Sequence, residues 1–223
     1  MAAYGRPALR DLFDDSPTPH IAHPPRTHHR QFYVATDGSF RRSGGGLGVV
    51  IETRDGERVA RLAMCDDSPN NNVAEYRALH LGLDTLAARA PHDARVGVLV
   101  DHDDLAANVN RMVLASGEQW RCSQSISVPP QSRYHWRGIR ARIRGFAECR
   151  VARIQSAENP AHPLANTPKQ YSHVNDEIDR CVLAPTEPTE TEQIPPPSRA
   201  NRHFFTSGNR SPSARSTPRK NLD

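Results

Sequence analysis

The sequence is short of the features that mark zinc modules, disulfide scaffolds and membrane proteins. Its four cysteines are scattered without CxxC or CxH spacing, so they indicate neither a structural zinc site nor a disulfide framework. No apolar run is long enough to span a membrane, and the N-terminus lacks the charged-then-apolar order of a signal peptide. We therefore expect a soluble, cytoplasmic and monomeric protein with no membrane partner.

Proline is scarce in the middle of the chain and frequent at both ends. Residues 1–29 combine proline with clustered histidine, and residues 175–223 combine proline with arginine and other polar residues. Such segments bury too little apolar surface to offset the entropy lost on ordering. The sequence therefore predicts disordered extensions at 1–29 and 175–223, and one domain of ordinary size at 30–174.

Within this domain the hydrophobic pattern predicts an α/β fold. Three β-branched and aromatic runs are joined by a Gly-rich turn and an Asp-Gly turn, which predicts an antiparallel meander. Two further strands alternate with helices, as in parallel sheets. We expect a five-stranded mixed sheet, three antiparallel strands followed by parallel ones, flanked by helices. The predicted strands are 31–36, 47–51, 58–64, 95–100 and 149–156. Four helices are predicted: one starts after Asn72, one starts at Leu105, and two cover 133–147 and 162–173.

One carboxylate lies in an unusual place. Glu75 follows three consecutive Asn, one of which can cap a helix, and precedes Leu79 by four residues, so it lies on or beside the apolar stripe of that helix. It is either a first-turn acid that favours the positive end of the helix dipole or a buried charge that needs a metal or another cation.

Two more acids follow predicted strands. Asp37 comes after the first strand and Asp101 after the fourth. Strand ends and helix starts meet at one edge of an α/β sheet, so Asp37, Asp101 and Glu75 should converge. Converging carboxylates need cations between them, and oxygen ligands favour Mg²⁺ or Mn²⁺. Paired ions about 4 Å apart stabilise the attacking and leaving oxygens in phosphodiester hydrolysis.

Three segments resemble the type 1 ribonuclease H family: YVATDGS at 33–39, NNVAEYRAL at 71–79 and VLVD at 98–101. The resemblance covers about residues 31–170. It implies the RNase H-like fold and two-metal hydrolysis of the RNA strand of RNA–DNA hybrids. Asp37 would bridge two divalent ions, Mg²⁺ or Mn²⁺, Glu75 would bind the ion nearer the leaving group, and Asp101 would complete the cluster. It also implies nucleic-acid contacts from Gly38, Ser39, Asn71 and Asn72, with Asn72 in the minor groove of the hybrid.

The chain departs from the family pattern at two places. His102 and Asp103 follow the third acid where Ser and Gln are common, and Asp103 is either a solvated helix-start residue or an extra metal-facing charge. His162 stands where the family has its fourth acid, in an NPAHPLA segment whose Asn159 is one residue closer than usual. His162 is either a metal ligand and catalytic residue or a loop histidine that caps or merely faces solvent. Pro163 suits the first turn of a helix, which places His162 near a helix start.

A basic stripe is predicted on the helix at 133–147. Trp136, Ile139, Ile143 and Phe146 have the spacing of a face that packs on the sheet, and four arginines have the spacing of a neighbouring exposed face. These arginines either face water or bind nucleic-acid phosphates. We call them the arginine stripe: Arg133, Arg137, Arg140 and Arg144.

Three functions remain open on this sequence. The first is an active hybrid endoribonuclease, with Asp37, Glu75, Asp101 and His162 as catalytic and metal-binding residues. The second is a catalytically weakened nucleic-acid-binding module, and the third is a related nuclease that acts on other nucleic acids. In each, the arginine-rich tail either adds contacts to nucleic acid or only increases solubility.

Overall fold

The computed structural model describes residues 6–16, 30–115 and 126–175, so nearly all of the predicted C-terminal tail lies outside the described residues. The strands are β1 (Phe32–Ser39), β2 (Gly45–Thr53), β3 (Arg58–Asp66), β4 (Arg95–Val100) and β5 (Glu148–Arg153). The α-helices are α1 (Leu9–Asp14), α2 (Asn71–Ala87), α3 (Asp103–Ala115), α4 (Arg133–Arg144) and α5 (His162–Asn166), and short 3-10 turns cover Pro130–Ser132 and Pro168–Gln170.

The five strands form one mixed sheet in the order β3-β2-β1-β4-β5. The pairs β1–β2 and β2–β3 are antiparallel, and the pairs β1–β4 and β4–β5 are parallel. The turns match their sequence signals, since Gly44 and Gly56 take positive φ angles of 105° and 82°. The predicted sheet, three antiparallel strands followed by parallel ones, is confirmed.

Side chains of β1 alternate between two cores, one on each face of the sheet. Phe32 and Val34 belong to the cluster that includes residues of α2, α3 and α4. Tyr33 and Ala35 belong to the cluster that includes residues of α1 and α5. Every residue of β1 is buried, as expected for a central strand covered on both faces. Within the described residues, no helix combines the length and the apolar character needed to cross a lipid bilayer.

Two strands end where their pairing with the neighbouring strand ends, and not where the sequence pattern predicted. β1 continues past Thr36 to Ser39 because Gly38 and Ser39 still pair with β2, so Asp37 lies inside a strand and not after it. β5 ends at Arg153, three residues early, because its partner β4 ends at Val100.

Two helices were predicted to be longer than they are, and in each case a glycine or proline just beyond the observed end explains the difference. α4 ends at Arg144 before Gly145, a residue with poor helix propensity. The final helix, predicted over 162–173, ends at Asn166. Pro168 explains that end, because proline disfavours helical geometry in the residue before it, and Thr167 has φ −132° and ψ 55°.

The prediction of disorder over 1–29 is wrong for α1. Leu9 and Phe13 are each 1% exposed and join the core on the α5 face of the sheet. The Leu9 N–H donates to Glu52 Oε2 at 2.9 Å, and the Arg30 guanidinium lies 4.5 Å from the centroid of the Phe13 ring. A six-residue helix has too few turns to show a period among prolines and polar residues, so the sequence pattern did not reveal it.

Two glycines of β2 allow α5 to lie directly on the sheet. A Cβ atom at Gly46 would be 2.5 Å from the Ala165 carbonyl oxygen, and one at Gly48 would be 2.2 Å from the Ala161 carbonyl oxygen. Both approaches are too close for any larger residue. His162, at the start of α5, is therefore held against the sheet.

Candidate active site

Four elements bring the predicted catalytic side chains to one edge of the sheet. Asp37 comes from β1, Asp101 directly follows β4, and His162 begins α5. One ligand atom from each of these three residues lies within 4.8 Å of the other two. Glu75 comes from α2 and is not part of this group of three, although its charge interacts with both aspartates. The predicted convergence of strand ends and helix starts is therefore present.

Glu75 does not lie in the first turn of its helix as predicted. Asn70 is the N-cap, and its side-chain oxygen accepts a hydrogen bond from the Val73 N–H at 3.0 Å, so Glu75 is the fifth residue of α2. It is 3% exposed, and its Oε2 accepts a hydrogen bond from the Gly38 N–H at 3.3 Å. The helix dipole acts mainly within the first turn, so the dipole explanation for this acid does not apply.

The carboxylates repel one another, and two of them, Asp37 and Glu75, are buried. Burial and the neighbouring Asp101 raise the pKa of Asp37 to about 7. Burial, Asp37 and Asp101 raise the pKa of Glu75, against the opposing effect of its bonds with Gly38 and Asn71. Without a cation, these carboxylates tend to take up protons, because their negative charges repel one another. A bound cation would offset those charges and stabilise the cluster.

One ring nitrogen of His162 is hydrogen-bonded to Asn166, and the other is buried and faces Asp37 without a hydrogen bond. Its Nδ1 lies 3.2 Å from Asp37 Oδ2, and its Nε2 lies 2.7 Å from Asn166 Nδ2. Arg41 donates to Asn166 Oδ1 at 3.2 Å, which directs the amide N–H of Asn166 toward the imidazole. In the neutral ring Nε2 is then the acceptor, and Nδ1 carries the proton that faces Asp37.

Asn159 fixes the loop before His162 to the strand that carries Asp37. Its Nδ2 donates to the Thr36 carbonyl at 2.9 Å, and its Oδ1 accepts from the Ala161 N–H at 3.0 Å. Its own carbonyl accepts from the His162 N–H at 3.0 Å. Asn159 is 2% exposed, so its amide groups are satisfied inside the protein and position the loop.

The donor set fits divalent cations with oxygen and imidazole ligands. Asp101 Oδ1 is buried without a hydrogen-bond partner, which is costly unless a ligand satisfies it. Asp37, Glu75 and Asp101 are hard oxygen donors suited to Mg²⁺ or Mn²⁺, and an imidazole shifts the preference toward Mn²⁺. An ion bound at Nδ1 of His162 requires that nitrogen to lose its proton, with a matching change in the contact to Asn166.

Gly38 and Ser39, predicted to contact nucleic acid, are buried here. A Cβ atom at Gly38 would be 2.2 Å from the Ala74 carbonyl carbon, so glycine is needed for β1 to approach α2. Ser39 Oγ donates to the Ala165 carbonyl at 2.6 Å and accepts from the Gly46 N–H at 3.1 Å. Both residues organise the site from within.

Asn71 and Asn72 are exposed at the first turn of α2, next to the carboxylates. Asn71 forms a side-chain hydrogen bond with Glu75, and Asn72 Oδ1 lies 2.9 Å from Nε2 of His102. His102 Nδ1 accepts the Leu105 N–H at 3.2 Å and so caps α3. The sequence showed His102 only as a departure from the family pattern; its position directly before a predicted helix is the signal that it is a cap.

Asp103 faces solvent and not the metal ligands. It lies in the first turn of α3, its side chain is 81% exposed, and its Oδ1 is 3.0 Å from Arg153 Nε. The position of Asp103 therefore agrees with the prediction of a solvated residue at a helix start. It does not agree with the alternative, an extra charge that faces the metal.

The arginine stripe runs along α4, starting next to the candidate site. Asn70, the cap of α2, donates to Gln131 Oε1 at 2.8 Å, which ties the start of α4 to the start of α2. Within the described residues no carboxylate pairs with the stripe arginines, whereas Arg142, on another face of α4, bonds Asp84. Arg133, Arg140 and Arg144 also line a cleft of about 850 Å³ between α4, α3 and the start of β5.

Sequence reasoning gave no role to Arg77, which is buried beside the site. It is 3% exposed, and its Nη1 lies 2.8 Å from Asp66 Oδ1. Asp66 Oδ2 in turn accepts the Ser68 N–H at 2.8 Å. This network ties the β3–α2 loop to the helix that carries Glu75. The signal was an arginine among apolar helix residues shortly after two consecutive aspartates.

No protein-family model matches the sequence, and no curated protein matches it either. Among solved structures, LC11-RNase H1 in complex with an RNA/DNA hybrid matches with a TM-score of 0.51 and 21% identity, over 63% of this chain and 99% of that one. RNase H1 from the halophilic archaeon Halobacterium salinarum matches with a TM-score of 0.49 and 22% identity, over 63% and 98% of the two chains. An N-terminal RNase H domain from Mycobacterium tuberculosis matches with a TM-score of 0.48 and 22% identity, over 60% of this chain and 95% of that one. The similarity to LC11-RNase H1 establishes the ribonuclease H fold.

Proposed function

We propose that this chain, which has the ribonuclease H fold, is a type 1 ribonuclease H that hydrolyses the RNA strand of RNA–DNA hybrids with divalent metal ions. The observation that carries the proposal is the group formed by Asp37, Asp101 and His162, with Glu75 beside it, at the carboxyl edge of the sheet. One solved structure with the same fold, LC11-RNase H1, was determined with an RNA/DNA hybrid bound.

Each residue of the site has a task that follows from its position. Asp37, Asp101 and His162 would hold one ion, and Glu75 with Asp37 would hold a second. Such ions, when bound, stabilise the attacking and leaving oxygens of a phosphodiester. The Gly38 N–H keeps the Glu75 carboxylate aimed at the cluster, and Asn159 keeps His162 opposite Asp37. Asn71 and Asn72 lie at the rim, where they reach a groove of the hybrid.

A direct assay separates the candidate functions. A labelled RNA–DNA hybrid, a DNA duplex and an RNA duplex of one sequence are each incubated with the protein in Mg²⁺ or Mn²⁺. We expect cleavage of the RNA strand of the hybrid alone. Cleavage of the DNA duplex instead would indicate a related nuclease with another substrate, and no cleavage of any substrate would contradict the enzymatic proposal.

One observation favours a second candidate, a nucleic-acid-binding module with weakened catalysis. The contacts of Asn166 direct the proton of neutral His162 to Nδ1, the atom that faces Asp37, and this tautomer does not bind a metal there. In that case the hybrid would bind with ordinary affinity and remain uncleaved in both metals.

His162 should make the activity depend on Mn²⁺ more than on Mg²⁺. An imidazole adds less negative charge than a carboxylate and is a softer ligand, so we expect higher hybrid cleavage with Mn²⁺ and about a tenfold gain in Mg²⁺ activity for His162→Asp. Rates with each metal over a concentration series measure this, with His173→Asp, at an exposed histidine outside the site, as the matched control. If His162→Ala behaves like wild type with both metals, His162 is not a ligand.

The arginine stripe should bind phosphates without regard to sequence. Replacing Arg137, Arg140 and Arg144 with Gln should weaken hybrid binding and reduce the slope of log K against log salt by about one unit for each lost phosphate contact. Binding titrations from low to moderate salt measure the slope. The matched control removes three exposed arginines near the β2–β3 turn, at the far side of the sheet from α4: Arg6, Arg54 and Arg58. Equal slopes for the stripe variant and this control would mean that the stripe makes no phosphate contacts.

A further inference from the structure

His102 is joined to Asn72 by a hydrogen bond that has one possible direction in the neutral ring. Nδ1 of His102 accepts the Leu105 N–H at 3.2 Å, which requires a lone pair on Nδ1. The ring proton is therefore on Nε2, which lies 2.9 Å from Asn72 Oδ1 and donates to it. The cap of α3 thus sets the tautomer of His102, and the tautomer sets the orientation of the Asn72 amide.

This bond fixes the orientation of the Asn72 amide. Its oxygen accepts from His102, and its Nδ2, on an exposed residue, has no partner within the described part of the chain. Asn72 is exposed in the first turn of α2, three residues before Glu75, while His102 directly follows Asp101. The two N–H groups therefore lie at the rim of the candidate catalytic site, where a bound duplex would present its groove.

We propose that His102 is a positioning residue that fixes the Asn72 amide, so that its Nδ2 is directed toward the acceptors in the minor groove of a bound hybrid. Every base pair presents acceptors there, purine N3 or pyrimidine O2, and only a G·C pair adds a donor. A fixed amide N–H finds an acceptor at each step, whereas an amide free to rotate presents its oxygen favourably to guanine alone. This inference rests on the proposed function of the site.

The test is a double-mutant cycle on hybrid binding by the full chain in metal-free buffer with EDTA, where no cleavage occurs. His102→Ser keeps a side chain that can cap α3 and removes the donor to Asn72. We expect it to weaken binding by about three- to tenfold, and to shift preference toward hybrids with a G·C-rich centre. In the Asn72→Ala background the same change should have no further effect. His92→Ser, at an exposed histidine in the loop before β4, is the matched control.

Asn72→Asp is a second variant that preserves the contact to His102 and removes both N–H donors, so it should weaken binding at least as much. If His102→Ser binds every hybrid like wild type, or if its effect is the same in the Asn72→Ala background, the positioning role is wrong while the proposed function stands. A wild-type protein that binds no hybrid would overturn the proposed function and this inference with it.

Discussion

Asp37→Asn, Glu75→Gln and Asp101→Asn are each expected to reduce hybrid cleavage by about a thousandfold or more, because each removes a ligand charge that the reaction centre needs. The measurement is the single-turnover rate with Mg²⁺ and with Mn²⁺. Asp93→Asn, at an exposed aspartate near the start of β4 and remote from the site, is the matched control and should keep full activity. Wild-type activity in any of the three variants would contradict the proposed metal site.

The same substitution at Asp37 should stabilise the protein when no metal is present. Burial and Asp101 raise the pKa of Asp37 from its ordinary value near 4 to about 7. The folded state then holds a proton that the unfolded state has released, so the stability of the wild type should fall as pH rises from about 4 through 7. Asp37→Asn removes this loss and should be more stable above pH 7, on the order of 2 kcal/mol.

Denaturant unfolding in EDTA across this pH range measures the effect. Added Mg²⁺ or Mn²⁺ should stabilise the wild type, since an ion that binds only the folded state raises its stability. An Asp37→Asn protein that is less stable than wild type at pH 8 without metal would show that the carboxylates do not repel one another.

Removing Arg77 should be the most destabilising single change next to the site. Arg77→Met leaves the Asp66 carboxylate, which is 1% exposed, without the guanidinium that lies 2.8 Å from it. Removing one partner of a buried ion pair costs about 3–5 kcal/mol. The Asp66 carboxylate also accepts the Ser68 N–H, so the β3–α2 loop should loosen as well.

A paired substitution tests whether the buried charge is the cause. Asp66→Asn keeps an oxygen for the Ser68 N–H and removes the negative charge, so Arg77→Met with Asp66→Asn should be more stable than Arg77→Met alone. Urea unfolding of the wild type and the three variants gives the comparison. If the double variant is the least stable of the four, the pair does not act through its charge.

The sequence predicted that Asp37 and Asp101 meet because parallel strands bring their carboxyl ends to one edge, a rule that needs no detail of packing, although Asp37 lies inside β1 and not after it. It placed Glu75 one turn too early because three consecutive Asn offer three possible caps. Only tertiary contacts select Asn70, which also bonds Gln131, 61 residues along the chain. Local pattern therefore sufficed for the elements of the site, and long-range contacts decided their exact limits.

The supporting hydrogen bonds could not be predicted from spacing. The bond between Asn72 and His102 joins residues 30 positions apart, and the bond from Asn159 to Thr36 joins residues 123 apart. Neither residue type is rare in loops or caps, so a sequence without its fold gives no reason to pair them. These are the contacts that orient the side chains for which the sequence does predict a role.

The first helix has a consequence for the order in which the chain folds. α1 is synthesised before the rest of the domain, yet Leu9 bonds Glu52, and Ser16 Oγ donates to the Arg153 carbonyl at 2.7 Å, 137 residues later. During translation α1 therefore has no complete binding surface until β5 has left the ribosome. A helix of six residues is not stable alone, so it should acquire structure among the last parts of the domain. α1 thus becomes native only when nearly all of the sheet that it packs on has been made.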